Sequence, residues 1–177
     1  ERGTAVLLKL HNTLSPLLDE GFLEATLRRQ FQPLWDPDFD EILAAHYPAG
    51  VVFEVNGRAL EKQPCRAAET AKLAVCLARK RKPSAVGCLL RAEAPLADDQ
   101  RGLAISTYGK VIKRGWDWLG LTPSAPDRIG GIVEAPDLAA ALTLNKGDVV
   151  RVGARGARYL GYSNAIPEAV LRQRALW

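Results

Sequence analysis

Methionine is absent from the 177 residues, and the chain opens on Glu1. A natural full-length chain begins with Met, so the expectation is an excised or processed piece whose function lies partly in what it lacks. Histidine is scarce: His11 and His46 are the only two, and neither has a cysteine close by in sequence. A Cys/His nucleophile, a zinc site and the H-E-x-x-H pattern are therefore unsupported. Cys65, Cys76 and Cys88 make an odd count without a C-x-x-C pair, which points to thiols in a reducing compartment rather than a disulfide framework. No apolar run approaches the length of a membrane span and no signal peptide is present, so a cytoplasmic protein without membrane contact is expected. The phosphate-binding G-x-x-x-x-G-K-[ST] loop and the G-x-S-x-G elbow are both missing. Gly153 and Gly156 are at the wrong spacing for a dinucleotide loop and read as a turn before a helix. The acids Asp36, Asp38, Asp40, Asp98 and Asp99 lie beside prolines and polar residues, as solvated loop charge does. No convergent nucleophile, base and stabiliser can be assembled, which argues against a stand-alone enzyme.

What is present is ordinary for a globular chain. Apolar residues make up 47% and charged residues 25%, enough to bury a core without staples. The net charge of +4 permits nucleic-acid contact without demanding it.

Periodicity divides the chain into elements. Residues 4–10, TAVLLKL, form a short apolar run with β-branched members and predict a strand. Phe22, Leu23, Leu27, Phe31 and Leu34 lie on one helical stripe behind Asp19, a suitable N-cap, and Pro33 and Pro37 end or interrupt that helix. A second short helix fits 38–46. Residues 51–55 running into Asn56-Gly57 predict a tight hairpin that returns through 58–60. A strand is expected at 72–79, with Leu73, Val75 and Leu77 on one side and a helix as the alternative, then a strand at 85–93, and within 103–114 a strand, Gly109 and a second short strand at 110–113. A loop rich in Trp, Gly and Pro fills 115–126. IGGIVEA, 129–135, reads as a buried strand whose glycines permit close backbone approach. A helical turn at 138–142, a polar loop at 145–148 and a helix from about 154, interrupted near 163–167, complete the chain. Strands in the middle and helices at both ends predict an α+β fold, a mixed sheet with helices on one face in a two-layer sandwich.

Two groups of cations stand out: Arg79, Lys80, Arg81 and Lys82 before Pro83, and Lys110, Lys113 and Arg114 beside Trp116 and Trp118. Aromatics interleaved with Lys and Arg can grip phosphates and stack bases, so these seven are the nucleic-acid candidates; solvated turns are the plainer reading.

The order GLAISTYGKVIKR, then RIGGIVEAPDLAAALTLNKGD, resembles the middle domain of MORC-type ATPases. There a strand with a Gly and a basic residue precedes a glycine-led strand, which leads into an Asn-Lys loop. Gly3-Thr4 with the following apolar run is similar to the last strand of the ATP-binding domain in the wider GHKL class of gyrase, MutL and the large heat-shock chaperones. Residues 51–57 with Arg58 resemble the early hairpin of the transducer domain in that class. The likeness covers most of the chain loosely and about a quarter of it well. The Gln that follows the Asn-Lys pair in MORC proteins is Gly147 here. The ATP-holding motifs of the class, an acidic base on a helix and an Asp-x-Gly-x-Gly turn, are not in this chain.

The resemblance implies a transducer domain of the fold shared with the second domain of ribosomal protein five. Residues 1–16 would be the last strand and exit of an ATP-binding domain, and 17–177 the transducer. Lys146 would be the catalytic cation, reaching the γ-phosphate of ATP held by the preceding domain. A flexible ammonium suits a contact that must follow the phosphate and let go after hydrolysis. Asn145 would shape the loop or donate a hydrogen bond, and Thr4 would contact adenine through water. ATP and magnesium would belong to the parent protein and neither to this chain alone. The implied partners are the ATP-binding domain of the same parent, a second copy in a homodimer, and nucleic acid within an ATP-driven clamp. The competing reading is a nucleic-acid-binding α/β module without ATP coupling. It predicts one contiguous basic surface made by the two groups of cations.

Overall fold

The computed structural model describes residues 3–62, 69–77, 82–123, 125–143, 148 and 153–174. Helix α1, Glu20–Gln30, starts where expected: the Asp19 carboxylate accepts a hydrogen bond from the Phe22 amide at 2.6 Å and satisfies a first-turn donor. Glu20 in its first turn and Arg28 and Arg29 in its last complement the helix dipole. Phe31 ends it, and Pro33 sits in the first turn of α2, Gln32–Trp35, where its missing N–H has no helical partner to lose. A 3-10 turn, Pro37–Phe39, leads into α3, Asp40–Leu43.

The predicted hairpin is present but short. β1, Glu54–Val55, pairs with β2, Arg58–Ala59, and Asn56 and Gly57 between them have φ of 49° and 78°, the left-handed pair that a two-residue turn requires. Arg58 reaches back to Glu24 of α1, which also pairs with Arg28; the two guanidinium groups hold the Glu24 carboxyl below its usual range. Arg28 in turn lies over the Trp35 ring, and Leu23, Leu27, Trp35, Phe53, Val55 and Leu60 close a small core beneath.

Among the described residues the main sheet has five strands: β3, Glu69–Val75; β4, Ala85–Arg91; β5, Gly102–Thr107; β6, Lys110–Gly115; and β7, Ile129–Glu134. Their spatial order is β3-β4-β7-β5-β6. β7, the last of these strands in sequence, is inserted at the centre, antiparallel to β4 and parallel to β5. Every residue of β5 and β7 is buried, as in strands covered on both faces. A Cβ at Gly131 would lie 2.4 Å from the Cys88 carbonyl oxygen of β4, so this strand can approach its neighbour only with glycine there.

The class and the mixed sheet are as expected, but the helices are not confined to one face. The 22-residue α4, Gly153–Arg174, covers one face, where Tyr162, Ile166 and Val170 meet Leu73, Leu89, Leu103, Ile105 and Val133. On the other face Leu34, Phe39 and Leu43, from the short helical turns of 32–43, meet Cys88, Ala104 and Ile132. The expected interruption near 163–167 is also absent: α4 runs through Pro167. Its three large buried side chains lie at i, i+4 and i+8 with no exposure. Their burial contributes roughly 5–9 kcal/mol, which outweighs the roughly 3 kcal/mol that an interior proline costs.

Residues 4–10 are not a strand of this sheet. No ladder among the described residues includes them, and Val6, Leu7 and Leu8 are 81%, 97% and 68% exposed. Apolar, β-prone residues form a strand only where an edge offers partners, and none among the described residues reaches this segment. Among the described residues no helix is long and apolar enough to cross a membrane.

Candidate functional site

β5 and β7 run side by side in the same direction, so their C-terminal ends meet, with Ser106 beside Glu134. There the one acid of the apolar β7 is completely buried. Its Oε2 accepts from the Ser106 hydroxyl at 2.7 Å and from the Gly109 amide at 3.1 Å, while Oε1 is buried without any partner. Burial pushes the Glu134 carboxyl up from 4.5 to about 7, against the downward pull of Ser106, Gly109 and the Tyr108 amide. Beside it, the Thr107 hydroxyl donates to the Pro136 carbonyl and the Ala135 amide to the Ser106 carbonyl.

The cover over this carboxyl is the β5–β6 turn. Tyr108 and Gly109 have φ of 51° and 77°, and Thr107 pairs directly with Lys110. Gly109 is pressed against Leu34, whose Cγ would be 2.4 Å from an added Cβ. Tyr108 is partly exposed; its ring lies 4.1 Å from the His46 ring, and its carbonyl accepts from the Tyr47 hydroxyl at 3.0 Å. The arrangement is a buried acid that accepts from a serine hydroxyl and from the amide of the turn above it. Among the described residues no group of His, Cys, Asp and Glu is placed to hold a metal. A separate cleft of about 460 Å³ lies between Asp117–Trp118 and the first half of α4, lined there by Gly156, Ala157, Tyr159, Leu160 and Ser163.

Lys146, Asn145, Arg79, Lys80 and Arg81 lie outside the described residues. Of the Asn-Lys loop the flanks are described: the Thr143 amide donates to the Asp148 carbonyl at 2.9 Å, and the Asp148 amide to the Thr143 hydroxyl at 3.2 Å. Thr4 is exposed in the unpaired first segment. Lys82 is exposed in the β3–β4 connection. Lys110 and Lys113 are on β6, where the Lys113 ammonium stands 3.8 Å from the Asp148 carboxylate. Arg114 is built into the fold: its guanidinium donates to the carbonyls of Gln100, Gly102 and Gly131 and to the Gln32 side chain. β3 and β6 are opposite edges of the sheet, so Lys82 and the β6 lysines stand some three to four strand spacings apart, roughly 15–19 Å.

The sequence reading passed over Glu134 and Tyr108. Two signals were available: one acid closing an otherwise apolar strand before Pro136, and Tyr-Gly in a hairpin position where Asn-Gly is the favourable pair. Comparison with known protein families finds no model that matches the chain, and comparison with curated proteins finds no matching sequence.

Proposed function

We propose that this chain is the transducer domain of a GHKL-type ATPase, supplying Lys146 to the γ-phosphate of ATP and coupling the nucleotide state to conformational change. The observation that carries the reading is the unpaired run at 4–10. Among the described residues its apolar side chains are left exposed, and the run resembles a strand that completes the sheet of an adjoining ATP-binding domain. In support, the segment that resembles the MORC middle domain is one structural unit. The β5–β6 hairpin, the central β7 and the 3-10 turn Pro136–Ala141 lead directly to the Asn-Lys loop.

In this reading residues 1–16 belong to the ATP-binding domain and 17–177 to the transducer. Asn145 shapes the loop, Thr4 lies near the adenine, and ATP with magnesium is held by the parent. A homodimer brings two such units together. The nucleic-acid module is less well supported, because it needs both groups of cations on one surface. The described members are at opposite edges of the sheet, and Arg114 is engaged with backbone carbonyls.

The test is ATP turnover by the intact parent protein with Lys146→Ala, its fold checked by circular dichroism. Removing one charge-stabilising donor lowers turnover by roughly 10²-fold. Unchanged turnover, or a parent that binds no ATP, refutes the reading. A gel-shift titration across salt tests the alternative, which requires binding that weakens steeply with salt.

A further inference from the structure

We propose that the Tyr108–Gly109 turn is a proton-operated lid, closed over Glu134 while the acid holds its proton and opened by its ionisation, which brings water to the carboxylate and frees the His46–Tyr47–Tyr108 cluster. The proposal stands apart from ATP coupling and rests on three features of the turn.

The first is a comparison within the molecule. The two hairpin turns have nearly the same backbone, with φ of 49° and 78° at Asn56–Gly57 and 51° and 77° at Tyr108–Gly109. Asn tolerates the left-handed region, whereas an aromatic residue there is strained by the approach of its Cβ to the backbone. Nothing approaches the Cβ position of Gly57, but Gly109 is pressed against Leu34. The second turn is thus held in place by its surroundings, namely Glu134 and Leu34 on the inside and His46 and Tyr47 on the outside.

The second feature is the lone Oε1. A carboxylate charge sealed from water with one oxygen unpartnered is unfavourable, and the neutral acid is much less so. Ionisation therefore favours any motion that hydrates this oxygen. The third feature decides which part moves. β5 and β7 are buried along their whole length at the centre of the sheet, so they yield only with the fold. The strained two-residue turn at the sheet's end is the cheapest cover to displace.

Among the described residues, the charged and titratable groups around Glu134 are Tyr108 in the turn, His46 and Tyr47 outside it, Lys110 at the start of β6, Asp137 after β7, and Arg158 and Tyr162 on α4. Asp137 and Arg158 are joined through the Asp137 carbonyl, and their charges act with that of Glu134 on the Tyr162 hydroxyl. β4 presents only Val86 beside Glu134.

Hydrogen exchange of the whole chain, corrected for intrinsic rates, tests the lid between pH 4.5 and 8. The closed turn binds the proton more tightly than the open one, so protection of the Tyr108 and Gly109 amides falls as pH rises. The fall is roughly tenfold per pH unit and levels off near neutrality, with protection below that of Ile132 and Val133 throughout. Glu134→Gln abolishes the pH dependence. Ser106→Ala, which removes a bond to the ionised form, moves the levelling-off to higher pH and covers the case in which the first variant does not fold. Turn protection equal to that of β7 overturns the lid. So does protection that is flat with pH in the native chain, or a fall that survives in Glu134→Gln.

Discussion

Glu134 makes the stability of this protein fall as pH rises from acid to neutral, and Glu134→Gln removes that fall. Its carboxyl titrates at about 7 in the folded chain and at 4.5 when free of it. Below 4.5 both states hold the proton and the contribution is fully present. Between the two values the folded chain keeps the proton while the unfolded chain loses it, so stability declines with pH; above about 7 both have lost it and the contribution is gone. The interval corresponds to about 3 kcal/mol. The assay is urea unfolding at several pH values between 4 and 8, followed by the fluorescence of the buried Trp35 and Trp116. Gln fills the same space but brings amide protons without acceptors, which costs about 1–3 kcal/mol at every pH; the informative quantity is therefore the change with pH in the difference between the two proteins. Ion pairs that weaken on acidification, such as Glu24 with Arg28 and Arg58, are common to both and cancel. The native protein is expected to lose about 3 kcal/mol of its advantage across this range. Parallel profiles refute the reasoning, because they mean that the buried acid does not carry its proton to neutrality.

Gly109→Ala and Gly57→Ala place the same strain at nearly the same φ, but only Gly109 has Leu34 in the way. Denaturant titration is expected to show a loss of about 1–2 kcal/mol at Gly57 and about 2–5 kcal/mol at Gly109, the excess being the packing clash. Ile166→Ala leaves a cavity where α4 meets the sheet and lowers stability by about 3 kcal/mol in the same assay. Asp19→Ala removes the cap of α1, with a loss of about 1 kcal/mol that circular dichroism at the start of thermal unfolding also registers.

Features encoded within a few neighbouring residues were legible in the sequence alone. Asp19 three residues before Phe22 specified the start of α1, and Asn56-Gly57 specified a turn. Alternation of Leu73 and Val75 specified a strand with one buried side, although that strand ends at Val75 and leaves Leu77 beyond it, and paired glycines marked β7 as a strand that approaches its neighbour closely. Each follows from backbone sterics or the period of a single element, and the α+β class followed from their order.

Tertiary structure decided what depends on residues far apart in the chain. β7 enters between β4 and β5 because its two apolar faces need cover on both sides. Pro167 stays within a helix because Tyr162 and Ile166 are buried against strands some eighty positions away. Arg114, a surface cation by composition, is drawn inward by three carbonyls from two other segments. Glu134 acquires its perturbed proton affinity only when β5 and its turn close over it. The apolar run at 4–10 shows the reverse: a strand-like sequence remains unpaired because a strand is completed by its neighbour's hydrogen bonds, and no neighbour among the described residues supplies them.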